Sequence, residues 1–295
     1  MSAVLLDGRE VARQIREEVR SEVEQLRRDG IIPSLTVVLV GENPASQIYV
    51  ANKEKACRKV GIESKTIRLP ASASQDEVLE LVGNLNADRS VHGILVQLPL
   101  PDHIDEFAVI CAIDPRKDVD GFTPENLGRL LLGKPYTVAC TPAGILELMH
   151  RYSLPVDGAN VTIVGRSNIV GKPLAALLMQ KVRGQNCTVT VCHSGTKDIT
   201  EFTRRADIVV TAMGKAGYLR AGMVRKGCIV IDVGINRVSD ASAPKGYRIV
   251  GDADFDSLAE VASYITPVPG GVGPLTVAML LRNTVTVARG PQWSQ

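Results

Sequence analysis

The chain opens with apolar residues spaced like one face of an α-helix. Between residues 7 and 29 they recur at intervals of three and four, at Val11, Ile15, Val19, Val23 and Leu26. This spacing predicts an amphipathic helix that ends at Gly30. Residues 34–41, SLTVVLVG, then form a continuous apolar run closed by glycine. Such a run is typical of a strand buried on both faces of a parallel sheet.

The alternation of strand and helix continues through the first third of the chain. The next helix is predicted to begin near Asn43 and to end at Gly61, and a further helix follows Ser74 as its N-cap. A strand is predicted at 65–70, KTIRLP, and another within 91–101, VHGILVQLPLP, which runs into a proline-rich loop. Strands that alternate with helices predict an α/β fold with a mostly parallel sheet.

A change of pattern between residues 111 and 145 marks a domain boundary. This segment is rich in Pro, Gly and Asp, and long polar loops of this kind usually carry function. Thr141 followed by Pro142 predicts the start of a helix that leads away from the first domain. We therefore expect a first domain at 1–143, completed by a C-terminal helix at 275–295, and a second at 144–274.

The second domain begins the alternation anew. Residues 161–236 predict a β-α-β-α-β-loop-β series, the size of half of a doubly wound nucleotide-binding sheet. A polar loop is predicted at 237–248. Because ligands often bind between two α/β domains, a cleft between the domains is the expected ligand site.

Composition narrows the possible functions. The 295 residues are 45% hydrophobic and 22% charged, which is ordinary for a globular protein, and the net charge is only +2. That balance does not provide the basic surface of a dedicated nucleic-acid binder. The sequence shows no apolar stretch of signal-peptide or membrane-spanning length. We expect a cytoplasmic protein with neither nucleic acid nor membrane as its partner.

The cysteines and histidines do not predict a metal site. The six cysteines contain no C-x-x-C pair and the four histidines form no H-x-x-x-H pair. Cys192 beside His193 could be a nucleophile with its base. Neighbours on a strand point to opposite faces, however, so a small thiol of the core is the favoured interpretation.

A possible dinucleotide-binding turn follows the first strand of the second domain. Gly165-Arg166-Ser167-Asn168-Ile169-Val170-Gly171 lies between a predicted strand and a predicted helix, the setting of a phosphate-binding turn. It lacks the second glycine of G-x-G-x-x-G, where Ser167 stands. Backbone N–H groups and the Ser167 hydroxyl could still hold a pyrophosphate. A tight connection without special chemistry is the alternative.

The surroundings of this turn favour NADP over NAD. NAD-binding folds place a carboxylate on the ribose about 20 residues beyond the glycines. Between Arg166 and Lys197 the chain has no Asp or Glu. Arg166, Ser194 and Lys197 instead offer donors and positive charge to a 2′-phosphate.

One charged residue interrupts the apolar face of the helix after the first strand. That face comprises Tyr49, Lys53, Ala56, Cys57 and Val60. Lys53 could extend its stem along apolar surface and hold its ammonium in water. Alternatively, it is partly desolvated, with a lowered pKa that suits proton transfer near neutral pH. Tyr49, one turn earlier, could stack on a flat ligand.

Two polar residues at strand ends point to the same region. Gln97 interrupts an apolar run, and its neutral amide could orient an amine or simply satisfy loop backbone. Asp120 in KDVDGF could cap a turn before glycine. If it faces the cleft instead, its carboxylate could accept two hydrogen bonds from an amidine-like edge such as that of a pterin.

Several motifs together resemble a known enzyme family. They are YVANKEKA, VQLPLP, DPRKDVDGF, TPAGI, GRSNIVGKP, CHSGT, GINRV and ITPVPGGVGPLTVAMLL. Over nearly the whole chain these motifs resemble the bifunctional methylenetetrahydrofolate dehydrogenase/methenyltetrahydrofolate cyclohydrolase family. The few residues after Arg289 suggest the bacterial two-activity form, without a fused synthetase domain.

The resemblance implies a reaction and a set of site residues. The expected reaction is oxidation of 5,10-methylenetetrahydrofolate by NADP⁺, followed by hydrolysis to 10-formyltetrahydrofolate, in one-carbon metabolism and purine biosynthesis. The implied catalytic residues are Lys53, its partner Gln97, the pterin anchor Asp120 and the stacking Tyr49. The implied cofactor contacts are Gly165, Arg166, Ser167, Ser194 and Ile235. The implied substrate-lining residues also include Val96, Leu98, Pro269, Gly270, Gly271, Val272 and Gly273. Family members are typically homodimers joined through the NADP domain.

Two other functions stay open on the sequence alone. If Lys53 only covers apolar surface and Asp120 only caps a turn, the chain could be another two-domain NADP oxidoreductase, resembling shikimate dehydrogenases, without a hydrolytic step. A nucleotide-sensing module without enzyme activity is a third reading, which the several proton-transfer groups disfavour.

Overall fold

The computed structural model describes residues 3–243 and 246–290 and divides into two compact units. The first unit comprises residues 13–140 and 277–295, and the second unit comprises residues 1–12 and 141–276. The sequence prediction placed residues 1–12 in the first domain. They group with the second unit because β1 (Val4–Leu5) pairs in parallel with β11 (Tyr264–Ile265).

A three-stranded parallel sheet forms the centre of the first unit, in the order β3-β2-β4. Its strands are β2 (Ser34–Val40), β3 (Glu63–Leu69) and β4 (Gly93–Val96). Its helices are α2 (Pro44–Val60), α3 (Gln75–Ala87), α4 (Glu106–Ala112), α5 (Pro124–Leu131) and most of α1 (Gly8–Arg28) and α10 (Gly273–Ala288). The predicted central strand is confirmed: β2 is buried along nearly its whole length, with a parallel partner on each side.

The helix boundaries in this unit follow from local capping. The Asn43 side chain accepts hydrogen bonds from Ala45 N and Ser46 N, and Gly61 ends α2 at φ 84°. At α3, the Ser74 hydroxyl accepts from Glu77 N while the Glu77 carboxylate accepts from Ser74 N, a capping box. The predicted helix ends at these positions are therefore confirmed.

Strand β4 ends at Val96, before the predicted proline-rich loop. Two other predictions in the first half are wrong. The segment 111–145, predicted as loops, contains α5, which Thr123 caps and Pro124 begins. The helix predicted to start after Thr141 begins at Cys140. Helix α5 has only eight residues, too few for its periodicity to be recognised.

The second unit is built on a six-stranded sheet in the order β1-β11-β8-β7-β5-β6, with every pair parallel. Besides β1 and β11, its strands are β5 (Asn160–Val164), β6 (Thr188–Cys192), β7 (Ile208–Thr211) and β8 (Ile229–Asp232). Its helices are α6 (Cys140–Arg151), α7 (Gly171–Leu178), α8 (Ile199–Thr203), α9 (Phe255–Ala259) and a 3-10 helix at Ala221–Met223. The predicted α/β class with a mostly parallel sheet is confirmed.

A hairpin replaces the polar loop predicted at 237–248. Strands β9 (Asn236–Ser239) and β10 (Tyr247–Val250) pair antiparallel, and residues 244–245 lie outside the described residues. The two strands are short and mostly polar, so backbone pairing, which composition does not reveal, defines them.

The last helix, α10, ends at Ala288. The Asn283 side chain in its second half donates to the carbonyls of Val119 and Val138 in the first unit. The final five residues of the predicted helix 275–295 lie outside the described residues. Within the described ranges, no helix combines the length and apolarity that crossing a membrane requires.

Candidate active site

Lys53 and Gln97, which are 44 residues apart in sequence, meet in the first unit. Lys53 Nζ donates a hydrogen bond to Gln97 Oε1 at 3.0 Å. Gln97 Nε2 donates to the Leu98 carbonyl at 2.7 Å, which fixes the amide so that its oxygen faces the lysine. Helix α2 supplies the lysine, and the end of β4 supplies the amide.

The position of Lys53 follows from the register of α2. The buried residues of this helix are Ser46, Val50, Cys57 and Val60, and Lys53 lies half-buried among them. Tyr49 lies beside this line and is 50% exposed. The predicted stripe was therefore wrong in one member: Tyr49 does not belong to the buried face. Its exposed ring is available to a ligand.

Asp120 is half-buried and has no hydrogen-bond partner among the described residues. The turn that follows it is capped instead by Asp118, whose carboxylate accepts from Gly121 N and Thr123 N, each at 2.8 Å. The alternative in which Asp120 serves the turn is therefore wrong, because Asp118 performs that task.

The surroundings of Asp120 shift its ionisation. Burial raises the pKa of Asp120 to about 6; the nearby Lys53 opposes this shift and the Asp118 carboxylate adds to it. Asp120 lines a small pocket together with Ile110, Ile113 and Phe122, whose side chains make its surroundings apolar. A carboxylate with this pKa is ionised near neutral pH and binds a proton in mildly acidic solution.

The other two predicted residues of this unit adjoin Gln97 in sequence. Val96, the last residue of β4, is buried, and Leu98 is half-buried. Leu98 lines the same pocket as Asp120. Its carbonyl also orients Gln97, as described above.

The glycine-containing turn of the second unit depends on close backbone approach. Gly165 has φ 139°, and a Cβ there would lie 2.3 Å from the Ala212 carbonyl oxygen. A Cβ at Gly171 would lie 2.1 Å from the Gly165 carbonyl oxygen. Only glycine fits either position. The absence of side chains there lets the backbone of the turn lie against the start of α7.

Donors cluster at this turn. Helix α7 has no side-chain cap. Lys172 N donates to the Ser167 carbonyl at 3.1 Å and Pro173 has no N–H, which leaves the N–H of Gly171 for an anion. The Ser167 oxygen accepts from Val170 N, so its hydroxyl hydrogen stays available. Arg166 is exposed and makes no hydrogen bond or ion pair with the residues the structure describes.

A second turn, after β6, presents Ser194. His193 N donates to the Thr196 hydroxyl at 3.0 Å, and Gly195 N donates to His193 Nδ1 at 3.1 Å. These bonds leave the Ser194 side chain exposed. The first carboxylate after Arg166 is Asp198, which caps α8 by accepting from Thr200 N. It is thus already engaged by its own helix.

Ile235 lines one pocket of the second unit together with the five residues at 269–273 that are predicted to line the substrate. Ile235 is 58% exposed, and its Cδ1 lies 3.9 Å from the position of a Cβ at Gly273. The predicted loop comprises Pro269, Gly270, Gly271, Val272 and Gly273.

Sequence reasoning missed several residues that support these sites. Arg9 lines the same pocket as Ile235. Asp232 and Asp252, both buried, accept backbone N–H groups at the ends of β7 and β8. Asp118 caps the turn after Asp120. The motif KDVDGF contained both aspartates, but nothing in its pattern distinguished the cap from the free carboxylate.

Models of one protein family match both halves of the chain. A family model described as tetrahydrofolate dehydrogenase/cyclohydrolase, catalytic domain, matches residues 6–120. The model of the NAD(P)-binding domain of the same family matches residues 139–291. The bifunctional protein FolD of Chlorobium chlorochromatii is 55% identical over 96% of this chain and 97% of its own length.

Solved structures are similar over the same extent. The bifunctional FolD enzyme of Campylobacter jejuni matches with a TM-score of 0.92 and 47% identity, over 98% of this chain and 99% of that one. The FolD of Trypanosoma brucei, solved with NADP cofactor and an inhibitor, matches with a TM-score of 0.91 and 42% identity, over 98% of each chain. With both domain models matched along most of its length, the chain belongs to the tetrahydrofolate dehydrogenase/cyclohydrolase family.

Proposed function

We propose that the chain oxidises 5,10-methylenetetrahydrofolate to 5,10-methenyltetrahydrofolate with NADP⁺ and hydrolyses the product to 10-formyltetrahydrofolate. Family membership supports both activities. The observation that carries the assignment of residues is the hydrogen bond from Lys53 to Gln97, close to an Asp120 carboxylate that no described residue engages.

Lys53 serves the hydrolytic step. Water that adds to the methenyl carbon must lose a proton, and ring opening requires a proton on the departing ring nitrogen. One amine that accepts the first proton and donates the second can serve both halves. Gln97 accepts a hydrogen bond from Lys53 Nζ through an uncharged amide oxygen. It therefore orients the amine without a negative charge that would stabilise the protonated form.

Asp120 and Tyr49 bind the substrate. An ionised Asp120 accepts two hydrogen bonds from the amidine-like edge of the pterin, which fits a carboxylate left without a protein donor. The exposed ring of Tyr49, one helical turn from Lys53, stacks on the flat part of the folate. Val96, Leu98 and the residues at 269–273 complete the proposed substrate contacts.

The second unit fits a dinucleotide. The close approach at Gly165 and Gly171 and the uncapped start of α7 form a cradle for a pyrophosphate. Gly165, Arg166 and Ser167 would hold the phosphates, Ser194 the 2′-phosphate and Ile235 the nicotinamide side. When bound, NADP⁺ supplies the hydride acceptor of the oxidation. The protein then contributes orientation, with no acid or base required of its residues.

An oxidoreductase without a hydrolytic step was the main alternative from the sequence. The match to the dehydrogenase/cyclohydrolase catalytic domain and the hydrogen bond between Lys53 and Gln97 favour the bifunctional enzyme. A nucleotide-sensing module is disfavoured on the same grounds.

Absorbance assays test both activities separately. The enzyme is mixed first with 5,10-methylenetetrahydrofolate and NADP⁺, and then with 5,10-methenyltetrahydrofolate alone. We expect NADPH to form in the first assay and the methenyl absorbance to decay faster than the uncatalysed rate in the second. Activity in the first assay alone would identify a monofunctional dehydrogenase, and activity in neither would contradict the proposal.

We further propose a cytoplasmic homodimer joined through the second unit, which supplies one-carbon units for purine biosynthesis. Its support is the family resemblance, together with apolar side chains that the second unit leaves exposed, among them Val4, Leu5 and Val182. Light scattering coupled to size-exclusion chromatography tests the dimer: a monomeric mass at micromolar concentration would contradict it.

A further inference from the structure

A buried carboxylate lies two residues before the proposed pterin anchor. Asp118 is 1% exposed, and its carboxylate accepts from Gly121 N at 2.8 Å, Thr123 N at 2.8 Å and Asn126 Nδ2 at 3.0 Å. A charge so deeply buried is stable only when donors surround it, and here three donors do so. The side chain does not reach solvent, so it is not a substrate contact.

A closed network ties this carboxylate to the surrounding chain. Asn126 Nδ2 also lies within hydrogen-bond distance of the Pro115 carbonyl and the Thr137 hydroxyl, at 2.9 and 3.1 Å. The Thr137 hydroxyl donates to the Asp118 carbonyl at 2.6 Å. The Asn126 amide is oriented for these acceptors although its own buried Oδ1 has no partner within the described part of the chain.

The network is anchored to the strand that supplies Gln97. Ile94 N in β4 donates to the Lys117 carbonyl at 2.8 Å, so the chain entering the turn runs beside β4. At Gly121 the backbone has φ 70°, and a Cβ would lie 2.6 Å from Ala139 N. The turn that carries Asp120 is thus fixed on both sides.

We propose that Asp118 is a positioning residue for Asp120: it takes the backbone donors of the turn and so leaves the Asp120 carboxylate free for the substrate. An aspartate just before glycine would otherwise accept from N–H groups two or three residues on, that of Thr123 among them. The inference rests on the proposed function, in which ionised Asp120 binds the pterin.

Asp118 also acts on Asp120 through its charge. The titratable groups that act on Asp120 are Lys53 from α2, Asp118 on its own loop and the thiol of Cys140 at the start of α6. Burial raises the pKa of Cys140 far above its usual value, so the thiol is uncharged. Since the Asp118 charge adds to the raised pKa of Asp120, its removal lowers that pKa.

The test is the pH dependence of KM for 5,10-methylenetetrahydrofolate in the wild-type enzyme and in Asp118→Asn. In Asp118→Asn an amide N–H2 faces the donors of the turn, so we expect KM at pH 7.5 to rise about 10- to 100-fold. We also expect the acidic limb of the profile to move to lower pH, because the Asp118 charge no longer raises the pKa of Asp120. Asp114→Asn is the matched control, because Asp114 caps the same segment from a more exposed position, and it should leave both quantities unchanged.

Asn126→Ala provides a second variant, which removes one donor and keeps the Asp118 charge. We expect a raised KM with the acidic limb displaced less than in Asp118→Asn, because the Asp118 charge is retained. If Asp118→Asn does not fold, the KM of Asn126→Ala decides: a raised value supports the positioning role, and a wild-type value overturns it. A folded Asp118→Asn enzyme with wild-type KM or a wild-type limb also overturns the proposal.

Asp120→Asn separates this inference from the proposed function. If that variant keeps the wild-type KM and acidic limb, the role of Asp120 itself is wrong. If Asp120→Asn loses the limb while Asp118→Asn behaves as wild type, only the positioning role of Asp118 is refuted.

Discussion

The candidate sites of the two units differ in whether side chains or backbone groups form them. In the first unit the site consists of side chains from distant segments, Lys53, Gln97 and Asp120, whose orientation and ionisation depend on burial and on one another. In the second unit the turn after β5 consists mainly of backbone, shaped by Gly165 and Gly171, with exposed donors around it.

This difference predicts how each site responds to substitution. Where partly buried side chains carry the chemistry, the loss of one functional group removes a proton donor or leaves a substrate group unpaired. Where the backbone holds a ligand, an exposed side chain adjusts preference between similar ligands more than it determines binding. Substitutions in the first unit should therefore have the larger effects on activity.

The largest effect is expected for Lys53→Met. Methionine retains the packing of the lysine stem and removes the amine, so the cyclohydrolase rate should fall about 10²- to 10⁴-fold, the usual contribution of acid–base catalysis. Methenyltetrahydrofolate decay, corrected for the uncatalysed rate, measures this loss.

Lys55→Met, at an exposed position of the same helix, is the matched control and should keep the wild-type rate. NADP⁺ binding should be unchanged in both variants, because no residue of the turn after β5 is altered. A Lys53→Met enzyme with near wild-type hydrolysis would contradict the catalytic role.

Asp120→Asn should have the next largest effect. Asparagine presents an N–H2 to the donor edge of the pterin, so we expect folate binding to weaken by about 2–5 kcal/mol, as for truncated buried charge pairs. The measurement is KM for 5,10-methylenetetrahydrofolate, with the exposed Glu125→Gln as control. An unchanged KM would show that Asp120 does not contact the substrate.

Arg166→Glu tests the second unit. The substitution places a negative charge beside the proposed phosphate site, so kcat/KM for NADP⁺ should fall about 10- to 100-fold more than that for NAD⁺. Cyclohydrolase activity, which needs no nucleotide, should persist. Lys226→Glu at another exposed position serves as control. Equal losses for both nucleotides would place Arg166 away from the 2′-phosphate.

The smallest effect concerns stability and its dependence on pH. The folded protein raises the pKa of Asp120 from its usual 3.8 to about 6, so the folded state binds a proton more tightly than the unfolded chain. Its contribution to stability is fully present below pH 3.8 and is lost as the pH rises through about 6.

Asp120→Asn should therefore be more stable than the wild type at pH 7.5 by about 1–3 kcal/mol, a shift of about 2–12 °C in the melting temperature of the transition that contains the first unit. Below pH 4 this advantage should vanish. Calorimetry at the two pH values measures the difference, and equal melting temperatures at pH 7.5 would show that Asp120 does not carry an unfavourable buried charge.

The sequence by itself determined the elements that rest on local physics. The continuous apolar run before Gly41, the caps at Asn43 and Ser74 and the glycine at residue 61 each specify a strand or a helix end through neighbouring residues. The turn after β5 could be predicted in part for the same reason, since Gly171 lies against the nearby Gly165 backbone, whereas the constraint on Gly165 comes from the distant Ala212.

Only the tertiary structure decided which aspartate of KDVDGF is free. Both have the same chemistry, and the choice depends on Asn126 and Thr137, which reach Asp118 from α5 and from the segment before α6. Contacts of the same long-range kind pair Lys53 with Gln97 and place residues 1–12 in the second unit. Patterns along a chain report local preference, whereas the burial and partners of a side chain depend on segments that meet only when the chain folds.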